Sequence, residues 1–318
     1  MTLEYIHCPL CSADNSQLVF KRKDLRYRIS DEEFCVVQCR DCGMAYVNPR
    51  PTEAEIHTYY PEELYEPDTD PEQLLHKKHG DLVMQYQYVS DMPPGRLLEI
   101  GCAKGEFMEF MRQKGWDVHG LDFSTKPPNI FGLDVFYGSL ESARYQSKSF
   151  DLVAMWAVLE HIYNPKEMLG EINRILKPGA KFITLVTNFN SLPAHFMRHD
   201  DVPRHTMLFT KRTMREMLRR TEFQLDAFYF NSELYGGKHR GVLNYLVKLT
   251  AGEKIEDILS SNRSAADWYK FSSQLHGKDS NFMLKVDRAD IAVTPYLDRL
   301  MDKLQMGFIM IVKATKIT

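Results

Sequence analysis

The sequence has no apolar run near the ~20 residues that a membrane-spanning helix needs; runs such as 308–312 are strand-sized. Low-complexity tracts are absent and Gly and Pro are modest, at 17 and 15 of 318 residues, which excludes a collagen-like or disordered chain. Neither sign of charge dominates: 40 Lys+Arg face 43 Asp+Glu, a net charge of −3. The first residues, Met1-Thr-Leu-Glu-Tyr5, lack the basic flank and apolar stretch of a secretory leader, so a cytoplasmic setting is expected. Cysteine is scarce beyond residue 42, where only Cys102 occurs, and a disulfide framework is excluded. What remains has the composition of an ordinary globular protein, 44% hydrophobic, with length for about two domains at roughly 150 residues each.

The other five cysteines crowd the N-terminus. Cys8-Pro-Leu-Cys11 and Cys39-Arg-Asp-Cys42 are two C-x-x-C turns, and Cys35 is a spare. Each turn can present two thiolates to one ion, and two turns complete the tetrahedral shell that zinc prefers. Residues 17–37 between them read as strands and a turn, which suits a zinc ribbon over 1–50 with Cys8, Cys11, Cys39 and Cys42 as ligands. Redox dithiols are the alternative reading. The basic run Lys21-Arg-Lys-Asp-Leu-Arg-Tyr-Arg28 invites a nucleic-acid role, but residues 1–50 hold seven Lys+Arg against seven Asp+Glu. A phosphate-tracking surface normally carries a positive excess, so structural zinc is expected and nucleic acid is not.

Residues 51–95 read as a helical linker or cap, with helices over 53–60 and 72–90 and a proline-bounded acidic stretch between. From 96 to 235 strand and helix patterns alternate. Strands are predicted at 96–100, 117–122, 133–137, 150–156, 181–187 and 223–230. Helices are predicted at 106–114, from Asn164-Pro165 to Lys177, and at 211–220. Alternation of this kind predicts a parallel sheet with helices on both faces and a ligand site at the C-terminal strand edges. A last strand at 307–313, in a terminal segment 307–318, is expected to pair antiparallel with the sixth. Residues 236–306 form an insert before it, with helical patterns near 242–249, 254–260, 265–275 and 291–304. The fold class is thus α/β: a Rossmann-like, seven-stranded, doubly wound sheet with an N-terminal zinc ribbon and a helical C-terminal insert. The insert is expected to be a lid, an acceptor pocket or a homodimer contact.

At the strand edge, Glu99-x-Gly101-x-x-x-Gly105 follows the first strand, and Asp122 ends the second, 21 residues after Gly101. Glycines admit close backbone approach, and an acid at the next strand end can accept both ribose hydroxyls. The glycine spacing is wrong for a dinucleotide pyrophosphate, and Glu99 would repel phosphate. A ligand with a cationic amine, a ribose and no phosphate fits: S-adenosylmethionine.

The segments Leu97-Leu-Glu-Ile-Gly-Cys-Ala-Lys-Gly-Glu-Phe107, Val118-His-Gly-Leu-Asp122, Ser149-Phe-Asp-Leu-Val-Ala-Met-Trp-Ala-Val-Leu-Glu-His161 and Leu176-Lys-Pro-Gly179 resemble the class I S-adenosylmethionine-dependent methyltransferases. The ribbon, Tyr46-Val-Asn-Pro-Arg-Pro51 and Pro203-Arg-His205-x-x-x-Phe209-Thr210 resemble a bacterial subgroup with an N-terminal zinc-binding segment, whose members often act on sugars, lipids or secondary metabolites. The resemblance implies that Glu99, Gly101, Cys102, Ala103 and Gly105 bind the methionine moiety and Asp122 the ribose. It places Phe123 beside the adenine, Ser139 and Leu140 at the adenine edge and Trp156 against the cofactor. Two positions depart from the family pattern: Ala103 stands where a glycine is usual, and Ser139 where an acid is usual.

Transfer to a hydroxyl, ammonium or C–H acceptor removes a proton, which calls for a base of near-neutral pKa. His161, just past the fourth strand, and His205, after the fifth, are the candidates; loop anchoring is the competing role for each. The expected function is methyl transfer from S-adenosylmethionine to a small-molecule acceptor. The alternatives are an RNA or protein methyltransferase that reads its target through the ribbon, and a non-catalytic cofactor-binding module.

Overall fold

The computed structural model describes residues 2–24, 26–61, 70–124, 129–191, 201–234 and 280–317, with residues 280–284 and 287 described by backbone alone. The insert helices expected within 236–279 lie outside the described residues.

The chain opens with β1 (Leu3–Glu4), β2 (Ser16–Lys23), β3 (Glu33–Cys39), β4 (Ala45–Val47) and β5 (Arg50–Pro51). β2, β3 and β4 pair antiparallel in sequence, and β5 returns antiparallel to β1. The helix predicted at 53–60 is a four-residue 3-10 turn, Ile56–Tyr59, because only Tyr59 in it is buried and no apolar stripe exists to extend it. Next comes α1 (Pro71–Tyr86), capped by the Asp70 carboxylate, which accepts from the amides of Glu72 and Gln73. It ends four residues short of the sequence expectation, where Tyr88, Val89 and Met92 continue in i→i−3 turns.

The main unit contains β6 (Arg96–Ile100), α2 (Glu106–Arg112), β7 (Asp117–Asp122), β8 (Val135–Tyr137), β9 (Phe150–Trp156), α3 (Pro165–Ile175), β10 (Leu176–Thr187), β11 (Met207–Leu208), α4 (Lys211–Arg220), β12 (Phe223–Phe230), α5 (Ser280–Lys303) and β13 (Ile309–Lys316). Seven strands lie in the order β12-β13-β10-β9-β6-β7-β8. β8, β7, β6, β9 and β10 run parallel, while β13 is antiparallel to both its neighbours, of which the sequence led one to expect the pairing with β12. β10 begins earlier than predicted, at Leu176, and its register against β9 slips between Leu176 and Lys181, where Gly179 takes φ +76°. Strand order reverses between β6 and β9, so the loops leaving their C-terminal ends diverge and open a crevice.

One face of this sheet is covered by α1 and α2, through Leu82, Phe107, Met108 and Met111. The other face is covered by α3 and α4, through Met168, Leu169, Ile172, Met214 and Met217. The same apolar cluster continues into Cys8, Leu10, Met44 and Tyr46 of the N-terminal unit. The N-terminal sheet also gains its fourth strand from the loop after β10: β11 pairs with β4, Met207 opposite Tyr46 and Leu208 opposite Ala45. Two buried arginines fasten the joint. Arg50 donates to Glu4 at 2.8 Å and to the Tyr163 carbonyl at 3.2 Å. Arg204, 1% exposed, donates to both Asp24 oxygens, at 2.9 and 3.1 Å, and to the Tyr59 carbonyl at 2.9 Å.

Candidate functional site

β6 delivers Glu99 and Ile100 to the crevice, and the chain then turns through Gly101 at φ +74°. A Cβ at Gly101 would lie 2.4 Å from Val158 Cγ2 in the loop after β9, so only glycine lets the two diverging loops meet here. Gly101 donates to the Leu121 carbonyl at 2.7 Å, which holds the turn against β7. Ala103 follows at φ +46° and Gly105 at φ +85°. The glycine usual at Ala103 is thus explained by a left-handed backbone, which an alanine occupies at a cost of roughly 1–2 kcal/mol.

Asp122, at the tip of β7, accepts from the Ala103 amide and the Ser124 amide, both at 2.9 Å. Glu99 is 4% exposed, and its Oε2 has no hydrogen-bond partner. Burial, followed by the charges of Glu106 and Asp122, holds the Glu99 carboxyl well above the usual range, and burial also raises Asp122. A cationic group placed between these acids would favour their ionised forms. Phe123 stands half-exposed beside it, and Trp156 is buried edge-on against Phe107, ring centres 5.2 Å apart, with Nε1 unpartnered. Ser139 is exposed, and its Oγ accepts from the Ser142 amide at 3.2 Å. The side chains of Cys102 and Leu140 belong to the apolar cores, and the Cys102 thiol lies under Gly120, so these two positions have only backbone to offer a ligand.

Across the switch point, the 3-10 turn Leu159–His161 follows β9. His161 Nδ1 lies 3.0 Å from the Arg204 carbonyl and 3.1 Å from the Tyr60 hydroxyl. A carbonyl only accepts, so Nδ1 carries the proton and Nε2 keeps its lone pair. The His205 ring stands 4.7 Å away at 77°, with Nε2 3.3 Å from Asp201. Burial lowers His161 and, more strongly, drives His205 to about 3 despite the Asp201 carboxylate. A nitrogen this hard to protonate is a weak proton acceptor at neutral pH, which leaves His161 as the better base of the two. Asp201 also binds Arg26 at 2.6 Å and Arg204 at 2.7 Å, and against its burial His205 and these two cations hold its carboxyl below the usual range. Glu160, beside His161, is 1% exposed, neither oxygen has a partner at hydrogen-bonding geometry, and burial pushes it up to about 8. The sequence brings out the histidines but not Asp201, whose one signal is its position four residues before His205 on the same turn.

The four thiols of Cys8, Cys11, Cys39 and Cys42 converge within 4.8 Å. Cys8 Sγ is 3.4 Å from Cys42 Sγ, and Cys11 Sγ is 3.6 Å from Cys39 Sγ. A tetrahedral zinc with Zn–S bonds of about 2.3 Å sets its sulfurs roughly 3.8 Å apart, so the donor set fits that ion. Both turns have one backbone design: Ser12 and Gly43 donate to the carbonyls of Cys8 and Cys39, and both take positive φ.

Residues 75–227 match a family model described as a methyltransferase domain. Over these residues the chain is similar to a methyltransferase domain. Among relatives, the chain is 30% identical over 109 residues to a ubiquinone biosynthesis O-methyltransferase of Hahella chejuensis, covering 31% of this chain and 46% of that one. It is 32% identical over 126 residues to the protein of the same name from Xanthomonas oryzae pv. oryzae, covering 36% and 52%. The chain therefore spans about half the length of the curated relatives it matches. A crystal structure of a SAM-dependent methyltransferase from Archaeoglobus fulgidus is 17% identical, covers 80% of this chain and 97% of its own, and superposes with a TM-score of 0.46.

Proposed function

We propose that the protein transfers a methyl group from S-adenosylmethionine to a small-molecule acceptor. The observation that carries this reading is the pair of acids, buried Glu99 and half-buried Asp122, at adjacent parallel strand ends with the left-handed Gly101–Gly105 turn between them. When bound, S-adenosylmethionine supplies an electrophilic methyl group on a sulfonium sulfur. Glu99 offers its unpartnered Oε2 to the cationic end, with Gly101, Ala103, Gly105 and the Cys102 backbone walling the methionine part. Asp122 is the acceptor for the ribose hydroxyls. Phe123, Ser139 and the Leu140 backbone border the adenine, and Trp156 closes the floor.

On the opposite loop, His161 Nε2 is the candidate to take the acceptor's proton, with Nδ1–H tethered to the Arg204 carbonyl so that the bare nitrogen faces away from the tether. His205 and Asp201 orient that ring. The relatives' O-methyltransferase names make a hydroxyl on a small molecule the first acceptor to try. Zinc on Cys8, Cys11, Cys39 and Cys42 is the structural ion of the N-terminal sheet, and thiols kept for a metal suit a cytoplasmic setting. Calorimetry with S-adenosylmethionine, followed by a methyl-transfer screen over hydroxylated acceptors, tests the reading. Binding that is weakened in Glu99→Gln and Asp122→Ala supports it; unchanged binding in both variants refutes it.

A further inference from the structure

Glu160, His161 and His205 are drawn from two different loops, yet a carboxylate oxygen and one ring nitrogen from each histidine lie within 4.8 Å of one another. Three features separate this cluster from an ordinary packed histidine pair. Glu160 is 1% exposed, and neither of its oxygens has a partner at hydrogen-bonding geometry, with only the backbone amides of Glu160 and Thr187 nearby. A buried carboxylate left in that state is costly unless a cation or a proton meets it. Each imidazole also has an acceptor beside one of its nitrogens. The Arg204 carbonyl sits 3.0 Å from His161 Nδ1, and an Asp201 oxygen sits 3.3 Å from His205 Nε2. Metal-ligating histidines show this arrangement: the far N–H is fixed on a carbonyl or carboxylate, and the near nitrogen presents its lone pair to the ion. Finally, the outer acceptors are themselves anchored, Asp201 by Arg26 and Arg204, and Arg204 by Asp24.

We propose that Glu160, His161 and His205 form a second divalent-cation site, separate from the four cysteines. Two imidazoles and one carboxylate make a nitrogen and oxygen donor set suited to Zn²⁺, Mn²⁺ or Fe²⁺, and three protein ligands leave an open position. The cluster lies at the C-terminal ends of β9 and β10, on the same sheet edge as Glu99 and Trp156. An oxygen of the acceptor, such as a hydroxyl, is the ligand class for the open position, where a cation would lower its pKa. That last use rests on the methyl-transfer reading; the cation site itself does not. A bound ion occupies the lone pair that His161 would otherwise offer to a proton, so the two uses exclude each other and a metal count distinguishes them.

The test is equilibrium dialysis of the full chain against Mn²⁺ and Zn²⁺, with metal per chain measured by inductively coupled plasma mass spectrometry and folding checked by circular dichroism. The wild type is expected to hold one ion beyond the thiolate-bound one. Glu160→Gln is expected to lose that extra ion and keep the other. Asp201→Asn, which removes the charge behind His205 and between Arg26 and Arg204, is expected to bind the extra ion roughly 10- to 100-fold more weakly in a chain that circular dichroism shows folded. Cys39→Ser is expected to retain it. A wild type that stops at the thiolate-bound ion, or a Glu160→Gln chain that keeps both, overturns the proposal. Either result leaves S-adenosylmethionine binding, and with it the methyl-transfer reading, to be judged on its own.

Discussion

Glu99 holds its carboxyl in a pocket with no counter-charge, and burial makes ionisation there unfavourable. A cationic ligand favours the carboxylate, so binding releases a proton from Glu99. The sign follows: affinity for S-adenosylmethionine is expected to rise with pH until Glu99 ionises in the free protein, and then to level off. Glu99→Gln is expected to flatten that profile and to weaken binding roughly 10- to 100-fold, the value of a charge-assisted hydrogen bond of about 1.5–3 kcal/mol. Titration calorimetry across pH measures both. Gly101 makes a separate point at this scale. Its φ of +74° and the 2.4 Å approach of Val158 to an added Cβ act together, so Gly101→Ala is expected to cost about 2–4 kcal/mol and to lower the melting temperature measurably. Single residues were legible in the sequence where backbone geometry nearly forces their type, as at Gly101, or where paired spacing brings side chains together, as at the four cysteines. Glu160 was not, because an acid beside a histidine in a loop reads as surface until its burial is seen.

Elements were legible in proportion to their length and periodicity. The parallel strands β6, β9 and β10 are apolar runs buried on both faces, and α3 and α4 carry clean apolar stripes. β11 is two residues long and has no period to read, yet it joins the N-terminal sheet to the loop that carries His205. The Asp24–Arg204 pair works across the same joint, with both side chains at most 1% exposed. Removing one partner of a buried ion pair strands the other, so Asp24→Ala is expected to destabilise the fold by about 3–5 kcal/mol in chemical denaturation. Metal removal gives a second expectation. Chelation at Cys8, Cys11, Cys39 and Cys42 should loosen β3 and β4, and through β11 the segment 201–210. Hydrogen exchange at the amides of 201–210 is therefore expected to accelerate on chelation, although this segment holds none of the four thiols.

On the scale of the whole molecule, the N-terminal strands are not an appendage. Cys8, Leu10, Met44 and Tyr46 share one apolar cluster with the helices on one face of the main sheet, and Arg50 and Arg204 tie the two units at buried positions. Division of the sequence at residue 50 follows the cysteine spacing, but the shared core depends on a long-range pairing that local pattern does not encode. The strand order explains the remaining geometry: reversal between β6 and β9 puts the anionic cradle on one side of a crevice and the histidine cluster on the other. The measurement that bears most directly on this arrangement is a calorimetric titration of the full chain with S-adenosylmethionine, run in parallel on wild type and Asp122→Ala. A single site on the wild type, weakened at least tenfold by loss of the ribose acceptor, is the expected result; a charged hydrogen-bond acceptor contributes about 1.5–3 kcal/mol. No heat of binding to the wild type, or equal affinity in the two chains, would contradict the placement of the cofactor at this strand edge.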